Sequence, residues 1–250
     1  MAALTNAGGM GSDRKPVQLG AARRASLGEL VAEQVREAIL GDTLAPGQHL
    51  LEEELSAQLQ VSRGPIRDAY AILEREGLVQ TSRNRGVTVV TLSENDLGEV
   101  YSLRLAIEML AARFAARRHN EEDIDRLEAA FADIQRAMKR KPKPQEAARL
   151  DIAFHDAMYV AAHHQRLYSS WQGIRMQAYW FLCRRNQASS DWVDNQMSGH
   201  REILDLIIAR DEDTVERAVR AHITTAYSRL SAWMTHESGE HVDPADYLLE

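Results

Sequence analysis

At 250 residues, with 44% hydrophobic and 27% charged side chains, the chain is long enough for one large domain or two ordinary ones with a full core. No apolar run approaches a membrane span, the first 20 residues lack a secretory pattern, and a single cysteine, Cys183, excludes an intrachain disulfide framework and fits a cytoplasmic setting. The formal charge of −7 argues against nucleic acid only as an average, since residues 1–91 carry 10 basic and 11 acidic side chains, residues 92–250 carry 20 and 26, and Ser62 to Gly86 holds five arginines against three acids.

Residues 1–24 are small and polar without periodicity and read as a disordered tail that closes on Arg23 and Arg24. Ser26-Leu27-Gly28-Glu29 then has capping-box spacing. Leu27, Leu30, Val31, Val35, Ile39 and Leu40 recur at helical intervals until Gly41 stops the helix. Pro46-Gly47 marks a turn, and a short helix is predicted over about 52–59. Ser62 is expected to cap a longer one, with Pro65 in the first turn, where a missing N–H costs least, and Gly77 at its end. Leu78–Thr81 and Val87–Thr91 are β-rich and flank Arg83-Asn84-Arg85-Gly86, which predicts a two-stranded hairpin with a basic tip. Three helices and a hairpin make a winged helix-turn-helix over residues 25–91.

Beyond Thr91 six helices are predicted, at about 93–117, 121–139, 144–162, 165–187, 190–209 and 211–236. Ser93, Asn120, Ser189 or Ser190, and Asp211 mark starts, and Lys139 to Pro144 cannot continue a helix. The fold class is therefore mainly α: a winged helix-turn-helix followed by an all-α six-helix bundle over 92–238, with a C-terminal tail at 239–250.

In a helix-turn-helix the first turn of the second helix enters the major groove. Here that turn is Ser62-Arg63-Gly64-Pro65-Ile66-Arg67. Arg63 and Arg67, four apart, project from one face and can engage guanine or phosphate through two-bonded geometry. Gly64 allows close backbone approach, Ser62 can reach a phosphate, and Arg83 and Arg85 would lie over the minor groove or its phosphates. The blander reading pairs both recognition arginines with acids such as Asp68 on a solvated face.

The stretch LLEEELSAQLQVSRGPIRDAYAILEREGLVQTSRNRGVTVV closely resembles the N-terminal domain of GntR-family bacterial transcription regulators. VSR-x-P-(I/V)-R-(D/E)-A, L-x-x-EGLV and an RG wing carry the resemblance, which spans about Leu27 to Thr91. It implies DNA contacts for Arg63 and Arg67 and a wing role for Gly86. Many members begin their second helix E-R-E-L, whereas this chain has Glu52-Glu53-Glu54-Leu55, so the arginine contact expected there is missing.

In the helical half three histidines occupy positions where a soluble helix normally puts leucine. Leu150, Asp151, Phe154, His155, Met158 and Ala162 share one face. His200 falls on a stripe with Val193, Met197, Leu204 and Ile207, and His222 on one with Val215, Val219, Ala226 and Leu230. A lone histidine on such a stripe is commonly a core residue with one hydrogen bond. Three, with an aspartate one turn away, must satisfy one another or bind something, because each buried unpaired polar group costs roughly 1–3 kcal/mol. Neutral imidazoles and a carboxylate suit Zn²⁺, Ni²⁺ or Mn²⁺. Spacing alone leaves the hydrogen-bonded core and the metal site both open.

D-I-A-F-H (Asp151 to His155), G-H-R-E-I-L (Gly199 to Leu204), A-H-I (Ala221 to Ile223) and S-L-R-L-A-I-E (Ser102 to Glu108) resemble the ligand-binding domain of FadR-type GntR regulators. Six helices place it nearer the VanR-like subgroup. The resemblance implies a divalent metal on Asp151, His155, His200 and His222. Arg104 is a candidate for binding a ligand carboxylate or, equally, for an i,i+4 pair with Glu108. Arg175, Tyr179 and Trp180 are candidates for the pocket wall.

Together these readings anticipate a ligand-responsive repressor that binds double-stranded DNA at a near-palindromic operator as a homodimer and answers to a small organic acid. A catalytic metal centre is the rival, although no paired general base, nucleophile motif or nucleotide loop accompanies it. A purely structural metal is the third reading.

Overall fold

The computed structural model describes residues 26–82, 86–188 and 192–238. The expected tails at 1–24 and 239–250, the wing residues Arg83 and Arg85, and the helix starts at Ser189 and Ser190 lie outside the described residues. Among the described residues, no helix is long and apolar enough to cross a membrane.

Helix α1, Leu27–Leu40, begins with both arms of its capping box formed, Ser26 accepting from the Glu29 N–H and Glu29 accepting in return. Its apolar face buries Val31, Ala32, Val35 and Ile39. Helices α2, Glu52–Leu59, and α3, Arg63–Arg75, follow. Ser62 does stand at the N-cap of α3, but its side chain makes no capping hydrogen bond, contrary to expectation.

Among the described residues the sheet has three strands where two were anticipated. Strand β1, His49–Leu50, adds to the hairpin of β2, Val79–Ser82, and β3, Gly86–Val89, in the order β1-β3-β2, antiparallel throughout. Two residues cannot show the alternation by which a strand is read from sequence. Leu50 and Val89 turn into a core shared with Val35, Ile39, Ile66 and Leu73.

The bundle comprises α4, Glu94–Arg118; α5, Glu121–Lys139; α6, Pro144–Ala161; α7, Gln165–Ala188; α8, Trp192–Ile208; and α9, Glu212–Ser238. Each boundary that lies inside the described residues falls within two residues of the sequence expectation, while the end of α7, the start of α8 and the end of α9 abut residues outside them. Ser93 with Asp96 and Asn120 with Asp123 form complete capping boxes, and Pro144 occupies the first turn of α6. Helix α4 is central, packing against α6, α7, α8 and α9.

The two cores meet along α7. Met176 and Trp180 of that helix are buried in the core of the winged domain. Arg184 pairs with Asp42, beyond the end of α1, at 2.7 Å. Gly77, which ends the recognition-helix turn, has φ +68°, and a Cβ there would fall 2.5 Å from the amide nitrogen of Gln177. The positive φ demands glycine there, while a Cβ would also have to displace the end of the Gln177 side chain.

Candidate metal centre and nucleic-acid interface

Asp151 and His155 project from consecutive turns of α6, His200 from α8 and His222 from α9. His200 Nε2 lies 3.4 Å from Asp151 Oδ1, and His155 Nε2 lies 3.8 Å from Asp151 Oδ2. The imidazole centroids are 5.4 Å apart for His155 and His200, 5.4 Å for His155 and His222, and 4.6 Å for His200 and His222. One ligand-type atom from each of the four residues lies within 4.8 Å of the others. Three helices thus bring together the four side chains that periodicity placed on apolar faces. Val193 and Met197, the first two members of the His200 stripe, have side chains outside the described residues.

This donor set fits a divalent cation. His155 is fully buried, and its Nε2 has no hydrogen-bond partner. Burial and the neighbouring His200 and His155 hold the His222 imidazole well below its ordinary pKa, so it is neutral, the form that ligates. Three imidazole nitrogens and a carboxylate match the preferences of zinc, nickel or manganese.

Behind the cluster lies a buried ionic relay. Arg104 Nε donates to Glu108 Oε1 at 2.7 Å, and Glu108 Oε2 lies 2.6 Å from His155 Nδ1, out of line with a good hydrogen bond. Burial alone would raise the Glu108 pKa, but the Arg104 guanidinium and the His155 ring hold it at about 2. The carboxylate therefore occupies the Nδ1 side of His155 and leaves Nε2 toward Asp151. The sequence paired Glu108 with Arg104, but its contact with His155 depends on how α4 packs against α6.

Gly199 is the second residue that sequence reasoning passed over. A Cβ at this position would sit 2.5 Å from His222 Nδ1. Glycine on α8 therefore admits the α9 imidazole to the cluster. The G-H pair in G-H-R-E-I-L is the available signal.

A cavity of about 230 Å³ opens on the cluster, lined by Asp151, His222, Arg104, Arg185, Asn186 and Arg229 among others. Arg104 is thus paired with Glu108, as the i,i+4 spacing anticipated, and also lines the cavity. Arg185, Asn186 and Arg229 were not anticipated. Arg175 and Tyr179 do not line this cavity. Arg175 is gripped by the Asp156 carboxylate, with Nε 2.8 and 2.9 Å and Nη2 2.6 Å from its oxygens, and the Tyr179 hydroxyl donates to the Gln145 carbonyl at 3.3 Å. Trp180, the remaining candidate, belongs to the winged-domain core.

On the recognition helix, Arg63 and Arg67 are exposed side chains on a common face. Their partners are acids of α2 rather than Asp68: Arg67 Nε donates to both oxygens of Glu52 at 2.9 and 3.0 Å, and Arg63 lies 3.3 Å from Glu53. The run Glu52-Glu53-Glu54 thus supplies two counterions to the recognition arginines. A Cβ on Gly64 would meet nothing within 4 Å, and the space beside Gly86 is equally open, so both backbones are accessible.

Comparison with known proteins accounts for both halves. Residues 27–89 match the model described as bacterial regulatory proteins of the gntR family, and residues 99–225 match the FCD domain. The chain is 30% identical over 192 residues to the HTH-type transcriptional repressor RspR of Escherichia coli (strain K12), covering 76% of this chain and 82% of that protein. It is 26% identical over 222 residues to the gluconate operon transcriptional repressor of Bacillus licheniformis, covering 86% and 89% of the two chains. In fold it is similar to E. coli McbR/YncC, with a TM-score of 0.71 at 18% identity over 84% of this chain and 99% of that one. The relatives are transcription regulators, which removes the enzyme alternative. With one model on the winged domain and the other on the bundle, the chain belongs to the GntR family of bacterial regulatory proteins and carries an FCD domain as its C-terminal half.

Proposed function

We propose that this regulator is a repressor that binds a near-palindromic operator as a homodimer and responds to a small organic acid held in the metal-containing pocket of its FCD domain. The observation that carries the proposal is a shared cavity: Asp151 and His222, two members of the four-residue cluster, line one small void together with Arg104. When bound there, a divalent ion supplies a Lewis-acidic anchor for a carboxylate oxygen. Arg104, Arg185 and Arg229 give the wall a cationic character that suits an anion. The relatives named as repressors support the direction of control, and operator binding implies a cytoplasmic location.

A route from pocket to DNA follows from the contacts. Asp156 is one residue beyond His155 on α6 and grips both Arg175 and the Trp171 indole N–H of α7. Five residues beyond Trp171, Met176 enters the winged-domain core, followed by Trp180. Ligand occupancy that favours one setting of α6 against α7 would bias how the winged domain is held. This is allostery only if the acid binds the two settings with different affinity.

For dimerisation, Leu103 and Leu110 lie exposed two turns apart on α4 and offer an apolar stripe for a second copy. The metal site is tested by analysing the metal content of dialysed Asp151→Ala and His200→Ala proteins. Both should retain much less metal than the parent, and equal content would refute the site. A gel-shift titration tests the DNA face: Arg63→Ala and Arg67→Ala should each weaken operator binding by roughly tenfold or more. The complete burial of His155 and His200 also favours a structural metal. In that case chelation lowers thermal stability but leaves the effect of carboxylates on DNA binding unchanged.

A further inference from the structure

The pocket at the metal cluster extends well beyond it. Helix α9 lines the void from Ala218 to Leu230, with Ala218, Ala221 and Ala226 leaving room beside the helix. His222 stands in the first part of that run and Arg229 near its end, two turns or about 10 Å further along the axis. Tyr101 meets Tyr227 and Arg113 meets Glu216, so α4 runs antiparallel to α9 and Arg104 stands level with the stretch between His222 and Arg229. The order along the wall is therefore metal cluster, Arg104, Arg229.

The cations on this wall are balanced differently. Arg104 already donates through Nε to Glu108 at 2.7 Å, and Arg185 Nη1 lies 3.4 Å from Asn186 Oδ1. Arg229 is half-buried and, among the described residues, has neither an ion-pair nor a hydrogen-bond partner. Two acids line the same void: Asp151 belongs to the metal cluster, and Glu202 is exposed on α8, where water and salt screen its charge. A partly desolvated guanidinium without a counterion, set on a void, is a place where a carboxylate forms strong, two-bonded contacts.

We propose that the acid taken by this pocket is a short aliphatic dicarboxylate, of about the length of glutarate, and not a monocarboxylate. The proposal rests on the reading that one carboxylate is held at the metal beside Arg104. The second carboxylate meets Arg229, and the methylenes between them lie along the small side chains of α9. A void of about 150 Å³ holds benzene, so the 230 Å³ here has room for such a chain. A monocarboxylate bound at the metal would leave the Arg229 charge without a partner, whereas a dianion compensates it.

Isothermal titration calorimetry of the zinc-loaded full-length protein tests this with two acids of equal chain length, glutarate and valerate. Glutarate is expected to bind at least about tenfold more tightly, the gain from one charged, hydrogen-bonded contact. In Arg229→Gln the gap should close because glutarate weakens. Valerate affinity and zinc content should hold in that variant, which also shows that it is folded. Equal affinity for the two acids in the parent, or an undiminished gap in Arg229→Gln, would overturn the second carboxylate contact and leave the metal-held carboxylate standing. If neither acid binds, or both bind as well after zinc is removed, the reading of a metal-held carboxylate fails, and the dicarboxylate falls with it.

Discussion

Gly199 and His222 face each other across α8 and α9 at a distance that leaves no room for a methyl group. An alanine there must displace the imidazole, and a displaced ligand loses coordination even though no ligand residue has changed. Gly199→Ala should therefore lower metal affinity by roughly 10–100-fold, the range found when groups supporting a ligand are altered. The helix itself should persist, because alanine is the better helix former. Competition with a chromophoric chelator reads the affinity, and circular dichroism checks the fold. At the other end of the molecule, Glu52 and Glu53 neutralise the arginines that would meet DNA. Both pairs are exposed and individually weak. Operator phosphates must nonetheless replace these carboxylates, and two fixed negative charges beside the groove repel the backbone. Glu52→Gln and Glu53→Gln are each expected to tighten operator binding by roughly two- to fivefold, more at low salt than at high salt. An unchanged or weaker complex in a gel shift would show that the acids do not oppose DNA.

Among the elements, α7 supplies side chains to both cores. Its first half answers to α6 through Trp171 and Arg175, and its second half to the winged domain through Met176, Gln177, Trp180 and Arg184. Asp156→Asn keeps the size of the side chain and removes the charge that grips Arg175. Its expected effect is a carboxylate response in operator binding reduced severalfold, with metal content unchanged. A full response would exclude this contact as the route. The element scale also shows what a sequence can and cannot disclose. The helices among the described residues were legible because several carry an apolar stripe at the helical period, and most begin at a recognisable cap. The four clustered residues were legible for the same reason, as polar side chains on those stripes. The third strand was too short to have a period. Glu108, Gly199 and Arg229 matter through neighbours on other helices, and no periodicity within one helix encodes which face of a neighbour it will meet. Arg175 and Tyr179 were misplaced for the converse reason: α7 is buried on several sides, so its stripe does not single out the pocket face.

For the whole molecule, the important feature is the intrusion of Met176 and Trp180 into the winged-domain core. Two large side chains of that core come from far along the chain. A protein ending after Thr91 would uncover the surface they occupy and the glycine turn against Gln177. Loss of large buried side chains commonly destabilises a core by about 2–5 kcal/mol each. The separate N-terminal half should therefore melt markedly lower than the same region in the full chain, as followed by hydrogen exchange of Leu73 and Val89 amides. Equal protection in the two would show that the docking is superficial. The same intrusion bears on inheritance and engineering. A DNA-reading head grafted from a relative arrives without the indole and thioether that complete its interior, so successful chimaeras must exchange the matching patch of α7 along with the head. Operator preference and sensory half are consequently not interchangeable cassettes in this chain, and substitutions at Gly77, Gln177 and Trp180 should be tolerated as a set more readily than singly.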